Sequence, residues 1–159
     1  MRLKRNIDTA FWYANAEIIF QSESKPVKNL AFKLDTGARV TTIPSQLLIA
    51  NGVTKDKIEQ GMEAMITVAD GRYVPNSYMF RVAEIHILGK NFRNFEVATS
   101  LSANMGLLLG QNILECFDWD INYSTGFALA KFRDDFIPKP ISNRSKAVSD
   151  LNLMEEFEQ

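Results

Sequence analysis

A single cysteine, Cys116, in a chain of 159 residues excludes an internal disulfide, and this favours a reducing compartment. There is also only one histidine, His86. The two are far apart in sequence, so they offer neither the ligand spacing of a zinc site nor a thiol-protease pair. Neither sign of charge dominates: 18 Lys and Arg stand against 19 Asp and Glu. Nothing in that balance draws the chain to nucleic acid or to an anionic membrane. No run approaches the roughly 20 apolar residues of a membrane helix. Residues 11–20 are interrupted by Asn15 and Glu17 and do not form a signal core. Gly37, Gly106 and Gly110 lack the spacing and the lysine of a phosphate loop. The expectation is a cytoplasmic protein of one compact domain, with no metal, nucleotide or organic cofactor.

What is present is β character, punctuated by turns. Residues 14–20 and 29–34 read as strands separated by a polar loop with Pro26. The second strand runs into Asp35-Thr36-Gly37. Residues 39–43, rich in β-branched side chains, predict the next strand. Two short helices follow, one capped by Ser45 and stopped at Gly52, the other capped by Thr54 and stopped at Gly61. Residues 62–69 and a long strand from Arg72 to about Ile87 flank a hairpin tip at Ala69-Asp70-Gly71-Arg72, with Pro75 at an edge or bulge. After a turn at residues 88–91, strands are expected over 92–99 and 105–109. A helix then covers Gln111 to Phe117, and residues 118–123 and 127–132 form a closing hairpin.

Three segments result. Residues 1–13 begin with a basic stretch, Arg2-Leu3-Lys4-Arg5, which reads as a solvated leader. Phe11, Trp12 and Tyr13 then serve either the core or a dimer contact. Residues 14–133 form the domain. Residues 134–159 are a polar tail, in which Leu151, Leu153, Met154 and Phe157 fall on one face of a short helix. His86, alternating with Ile85 and Ile87, reads as an exposed strand residue. Cys116 reads as a small core residue, and Trp119, Phe127 and Phe132 as core or sheet-packing residues.

The chemistry is concentrated at Leu34-Asp35-Thr36-Gly37-Ala38. An Asp-Thr-Gly tripeptide alone is an ordinary surface turn. Here it ends an apolar strand through Leu30, Phe32 and Leu34, where an aspartate is disfavoured and burial of a carboxylate is costly. A second apolar strand, Leu107-Leu108-Leu109, ends in Gly110 and leads into Gln111-Asn112-Ile113-Leu114. The Asp70-Gly71 hairpin lies between the two.

In this order the motifs resemble the retropepsin-like aspartic proteases, closest in pattern to the bacterial and cellular members. The likeness spans roughly residues 14–132. It implies an all-β fold, a closed acid-protease β barrel equal to half a pepsin, with short helices. It also implies catalytic roles for Asp35, Thr36 and Gly37. Substrate contacts would come from Ala38, Arg39, Asp70, Gly71, Arg72, Tyr73 and Leu108, with Thr41 and Ile43 as further wall positions. Gly110, Gln111 and Asn112 would be structural.

The chain holds one such aspartate motif, since Ser124-Thr125-Gly126 lacks the carboxylate. Water attack on an amide needs both a base and an acid, so the resemblance implies a two-fold homodimer in which two Asp35 carboxylates share a proton. The other partner is a peptide or protein substrate bound as an extended strand. The alternative is a noncatalytic retropepsin-like module for peptide binding or dimerisation. The chain departs from the viral pattern where two acidic residues follow the motif, because Arg39 and Val40 stand there. Gln111 replaces an arginine. The usual internal ion pair cannot form, and a hydrogen bond between Arg39 and Gln111 is the expected substitute.

Overall fold

The structure, a computed structural model, describes residues 1–67 and 70–135. Its elements in chain order are β1 (Arg2–Lys4), β2 (Tyr13–Ile19), β3 (Val27–Leu34), α1 (Ser45–Ala50), α2 (Lys55–Glu59), β4 (Ile66–Thr67) and β5 (Tyr73–Val74). They continue with β6 (Ser77–Ile87), β7 (Lys90–Ser100), β8 (Leu108–Leu109), α3 (Gln111–Leu114), β9 (Phe117–Asn122) and β10 (Phe127–Phe132). The described chain is thus all-β with short helices.

The main sheet has the order β7-β6-β2-β3-β8. Its pairs are antiparallel except β3 with β8, which run parallel. The longest pair, β6 and β7, is joined by a two-residue turn at Leu88-Gly89, both with positive φ (54° and 76°). That backbone matches the twist of a tight hairpin. The strands alternate, so Ile18, Phe32, Val82, Ile85, Ile87 and Val97 turn inward to meet Leu48, Ile58 and Ile113 from the helices. On the outer face His86 is exposed, as its alternation predicts, and Nδ1 lies 2.6 Å from Asn91 Oδ1. Cys116 is buried.

The expected closed barrel is not formed. Among the described residues the edge strands β7 and β8 do not pair with each other; Thr42 makes isolated bridges to Ala98 on one and to Leu108 on the other. Residues 39–43 are therefore not the strand their β-branched composition predicts. The chain bends at 39–40 and reaches Pro44, which has no N–H to extend a ladder, so one residue does the work of a strand.

Other boundaries also move. Pro44, not Ser45, caps α1, and it does so with no side-chain bond; its carbonyl accepts from the N–H of Leu47 and Leu48. Thr54 does cap α2, accepting from Lys57 N at 3.2 Å. The long strand expected from Arg72 is split at Pro75-Asn76, where Asn76 has φ +50°.

The N-terminal residues are not a solvated leader. β1 pairs with β10, which pairs with β9, in a three-stranded sheet. Trp12 is buried in its own chain, with Nε1 donating to Gly126 O at 3.1 Å and its ring meeting Tyr123 edge-on. The helix expected over 147–158 lies outside the described residues.

Candidate active site

β3 delivers Asp35 to the end of the main sheet. The parallel pairing with β8 holds that end: Lys33 N donates to Leu107 O at 2.9 Å and Asp35 N to Leu109 O at 3.1 Å. Behind it, Leu34 N donates to Trp12 O at 2.9 Å. The chain then turns sharply, with Ala38 N donating to Asp35 O at 3.1 Å. Inside the turn Gly37 N donates to Asp35 Oδ1 at 2.9 Å. A Cβ on Gly37 would sit 3.3 Å from that same oxygen, so glycine leaves the carboxylate room. In the single chain Asp35 is half-buried and Thr36 and Gly37 are exposed. The carboxylate is therefore presented to solvent, not buried as its position at a strand end suggested.

The loop is clamped from the β8–α3 side. Gln111 N donates to Ala38 O at 2.8 Å and Gln111 Nε2 to Thr36 O at 2.7 Å. Arg39 was the expected partner of Gln111; the amide instead reaches the Thr36 carbonyl.

Gly110 passes directly beneath the loop. A Cβ there would lie 2.5 Å from Val40 C, 2.6 Å from Val40 O and 2.7 Å from Thr41 N, all backbone atoms that cannot step aside. Its structural role follows from that approach. Its N–H donates to Thr41 Oγ1 at 3.1 Å, and Thr41 Oγ1 in turn donates to Asn112 Oδ1 at 2.8 Å. Thr41 N reaches the same Asn112 oxygen at 2.9 Å, and Asn112 Nδ2 donates to Glu96 O on β7 at 3.1 Å.

Thr41 and Ile43 are fully buried, so they are not wall positions for a ligand of this chain. Thr41 is a strut of the loop. Asn112 is buried, and a buried amide requires several partners. Which residues supply them was not readable.

Glu96 was also missed. It is buried beside Arg81, with Oε1 3.7 Å from Arg81 Nη2, and burial raises its carboxyl pKa while Arg81 partly opposes the rise. It borders a cleft of about 710 Å³ that shares no residue with the Asp35 loop.

The hairpin expected to cover the site is short. β4 and β5 pair through Ile66 with Val74 and Thr67 with Tyr73. Ala69 lies outside the described residues, and Asp70, Gly71, Arg72 and Tyr73 are exposed. The tip is held by its own bonds: Arg72 N donates to Asp70 Oδ1 at 3.0 Å, and Arg72 Nε lies 2.6 Å from Asp70 Oδ2. Among site residues nearer Asp35, Ala38, Arg39 and Leu108 are half-buried. Among the described residues, no three His, Cys, Asp or Glu side chains gather as metal ligands.

An aspartate at the end of a parallel strand pair, set in a turn and backed by a glycine from a second strand-to-helix junction, defines a retropepsin-like fold. The crystal structure of a retropepsin-like aspartic protease from Rickettsia conorii is similar, with a TM-score of 0.56 at 21% identity over 83% of this chain and 89% of that one. The model of the family described as "gag-polyprotein putative aspartyl protease" matches residues 25–116, more than half the chain. The match includes Asp35, the hairpin and α3, and the chain belongs to this retropepsin-like aspartic protease family. No curated protein matches it.

Proposed function

We propose that the chain is an aspartic endopeptidase that works as a two-fold homodimer. The observation that carries this reading is Asp35 itself. It is half-exposed on a clamped loop, with one oxygen held by Gly37 N–H, and the chain supplies no second aspartate of this kind. Two copies meeting at these loops place two carboxylates together. Like charges that close cannot both ionise, so the pair holds one proton.

The ionised Asp35 takes a proton from a water molecule as its oxygen attacks the amide carbon. The protonated Asp35 of the other copy gives its proton to the carbonyl oxygen, and a gem-diol results. Its collapse returns a proton to the leaving nitrogen and breaks the C–N bond. Thr36, exposed at the loop tip, faces the partner. Gly37 allows the close approach. The substrate lies extended over Ala38, Arg39 and Leu108, beneath the hairpin residues Asp70, Gly71, Arg72 and Tyr73, which exclude bulk water. The half-buried Ala38 and Leu108 favour apolar side chains near the scissile bond. With a single cysteine, the protein suits the cytoplasm.

The test is a mixing experiment on the full chain, after a peptide library has supplied a cleaved substrate. Subunits of wild type and Asp35→Asn are exchanged in varying ratio. A site shared by two copies leaves about one quarter of the activity at an equal mixture, because only wild-type pairs work. Activity of about one half assigns the chemistry to single chains and overturns the dimer. A chain that stays monomeric and cleaves nothing favours the noncatalytic binding module.

A further inference from the structure

We infer that Gln111 is a positioning residue for the catalytic carboxylate, acting through the Thr36–Gly37 peptide group. This rests on the peptidase reading above. One peptide plane carries both ends of the connection. Its carbonyl, Thr36 O, accepts from Gln111 Nε2 at 2.7 Å, and its N–H, on Gly37, donates to Asp35 Oδ1 at 2.9 Å. A donor on the carbonyl oxygen withdraws charge from that oxygen and makes the N–H of the same amide a stronger donor. It also holds the plane in the rotation that aims the N–H at the carboxylate. Gln111 is fixed for this task, because its own N–H is bonded to Ala38 O at 2.8 Å, at the far end of the same turn. Backbone and side chain thus grip the loop on both sides of Gly37.

The loop needs the grip because it is exposed. Thr36 and Gly37 face solvent in the single chain, so water competes for the Thr36 carbonyl and the peptide is otherwise free to rotate. The consequence falls on the ground-state geometry of Asp35 and on the rate of the chemical step. Substrate contacts elsewhere in the groove are untouched.

The test uses two uncharged donorless variants, Gln111→Met and Gln111→Leu, with Gln111→Arg as the variant that restores a donor. The expected result is a fall in kcat of about tenfold for both donorless chains at neutral pH, with KM changed less than about twofold. Gln111→Arg recovers most of the loss. The Gly37 amide proton moves upfield in NMR spectra of the donorless chains and exchanges faster, while the unfolding midpoint stays within about 2 °C of wild type. The spectroscopic readout stands whether or not the chain cleaves a peptide, so failure of the peptidase reading is recognised separately by an inactive wild type. An unmoved Gly37 amide, an unchanged kcat in an active enzyme, or a loss that Gln111→Arg does not recover overturns the inference. So does a fall in kcat that merely tracks a large loss of stability in both donorless chains.

Discussion

The loop that carries Asp35 and the hairpin at Asp70 are built in opposite ways. Around the loop, backbone and side chains of three segments interlock: β8 and α3 bond to residues 35–42 through Leu109, Gly110, Gln111 and Asn112, and Asn112 ties the assembly to β7. The bonds among Thr41, Gly110, Asn112 and Glu96 are buried, so losing one of them leaves a polar atom without water. The described part of the hairpin has two cross-strand pairs and an exposed tip at which Asp70 and Arg72 bond to each other. A hairpin of that size opens without disturbing the core. On the proposed peptidase reading the difference matches two tasks: rigid placement of the reacting group on one side, entry of an extended substrate on the other.

The largest expected effect sharpens the chemical side of that comparison. Asp35→Asn removes the base and keeps the shape, so peptide cleavage falls by about 10³-fold or more while the unfolding midpoint is nearly unchanged. Residual cleavage near the wild-type rate would move the chemistry away from the loop. Next comes Gly110→Ala. Its Cβ meets the Val40 and Thr41 backbone at 2.5–2.7 Å, and the expected cost is about 3 kcal/mol in chemical denaturation. A loss under about 0.5 kcal/mol would mean that the loop is not tightly seated.

A third, smaller effect concerns pH. Burial raises the Glu96 carboxyl pKa above its ordinary 4.5, with Arg81 partly opposing. The folded state therefore holds this proton more firmly than the unfolded one. The stabilisation is complete below the unfolded value and is lost as pH rises through the folded value. Glu96→Gln removes that loss, so thermal melts across the acid-to-neutral range should show a flatter decline and a higher midpoint at neutral pH. An unaltered slope would show that Glu96 is not the group responsible.

The smallest effect belongs to the hairpin. Gly71 has φ +90° and nothing within 4 Å of an added Cβ. Gly71→Ala strains only the local backbone, by about 1 kcal/mol. KM should rise modestly while the global midpoint stays put. A drop in midpoint as large as that of Gly110→Ala would break the comparison, because loop and hairpin would then unfold as one unit.

Much of the site was legible before the fold. Asp35-Thr36-Gly37-Ala38 after an apolar strand, Leu108-Leu109-Gly110 before a short helix, and the Asp70-Gly71 turn between them are local patterns with local causes. Residues 39–43 show where such patterns fail. Their β-branched composition predicts a strand, but the chain there satisfies its backbone one residue at a time against β7 and β8. β1 failed for the converse reason. Three polar-flanked residues carry no periodic signal, and they become a strand only because β10 offers an edge.

By itself the sequence determined which groups are there to be placed: one Asp-Thr-Gly motif at the end of an apolar strand, one cysteine and one histidine. Tertiary structure alone decided how that aspartate is held. Thr41 and Asn112 are 71 positions apart in the chain and Thr36 and Gln111 are 75, and the parallel pairing of β3 with β8 brings each pair within hydrogen-bond reach. Hydrogen bonds act over about 3 Å, so separations along the chain give them no direction until the fold has closed that distance.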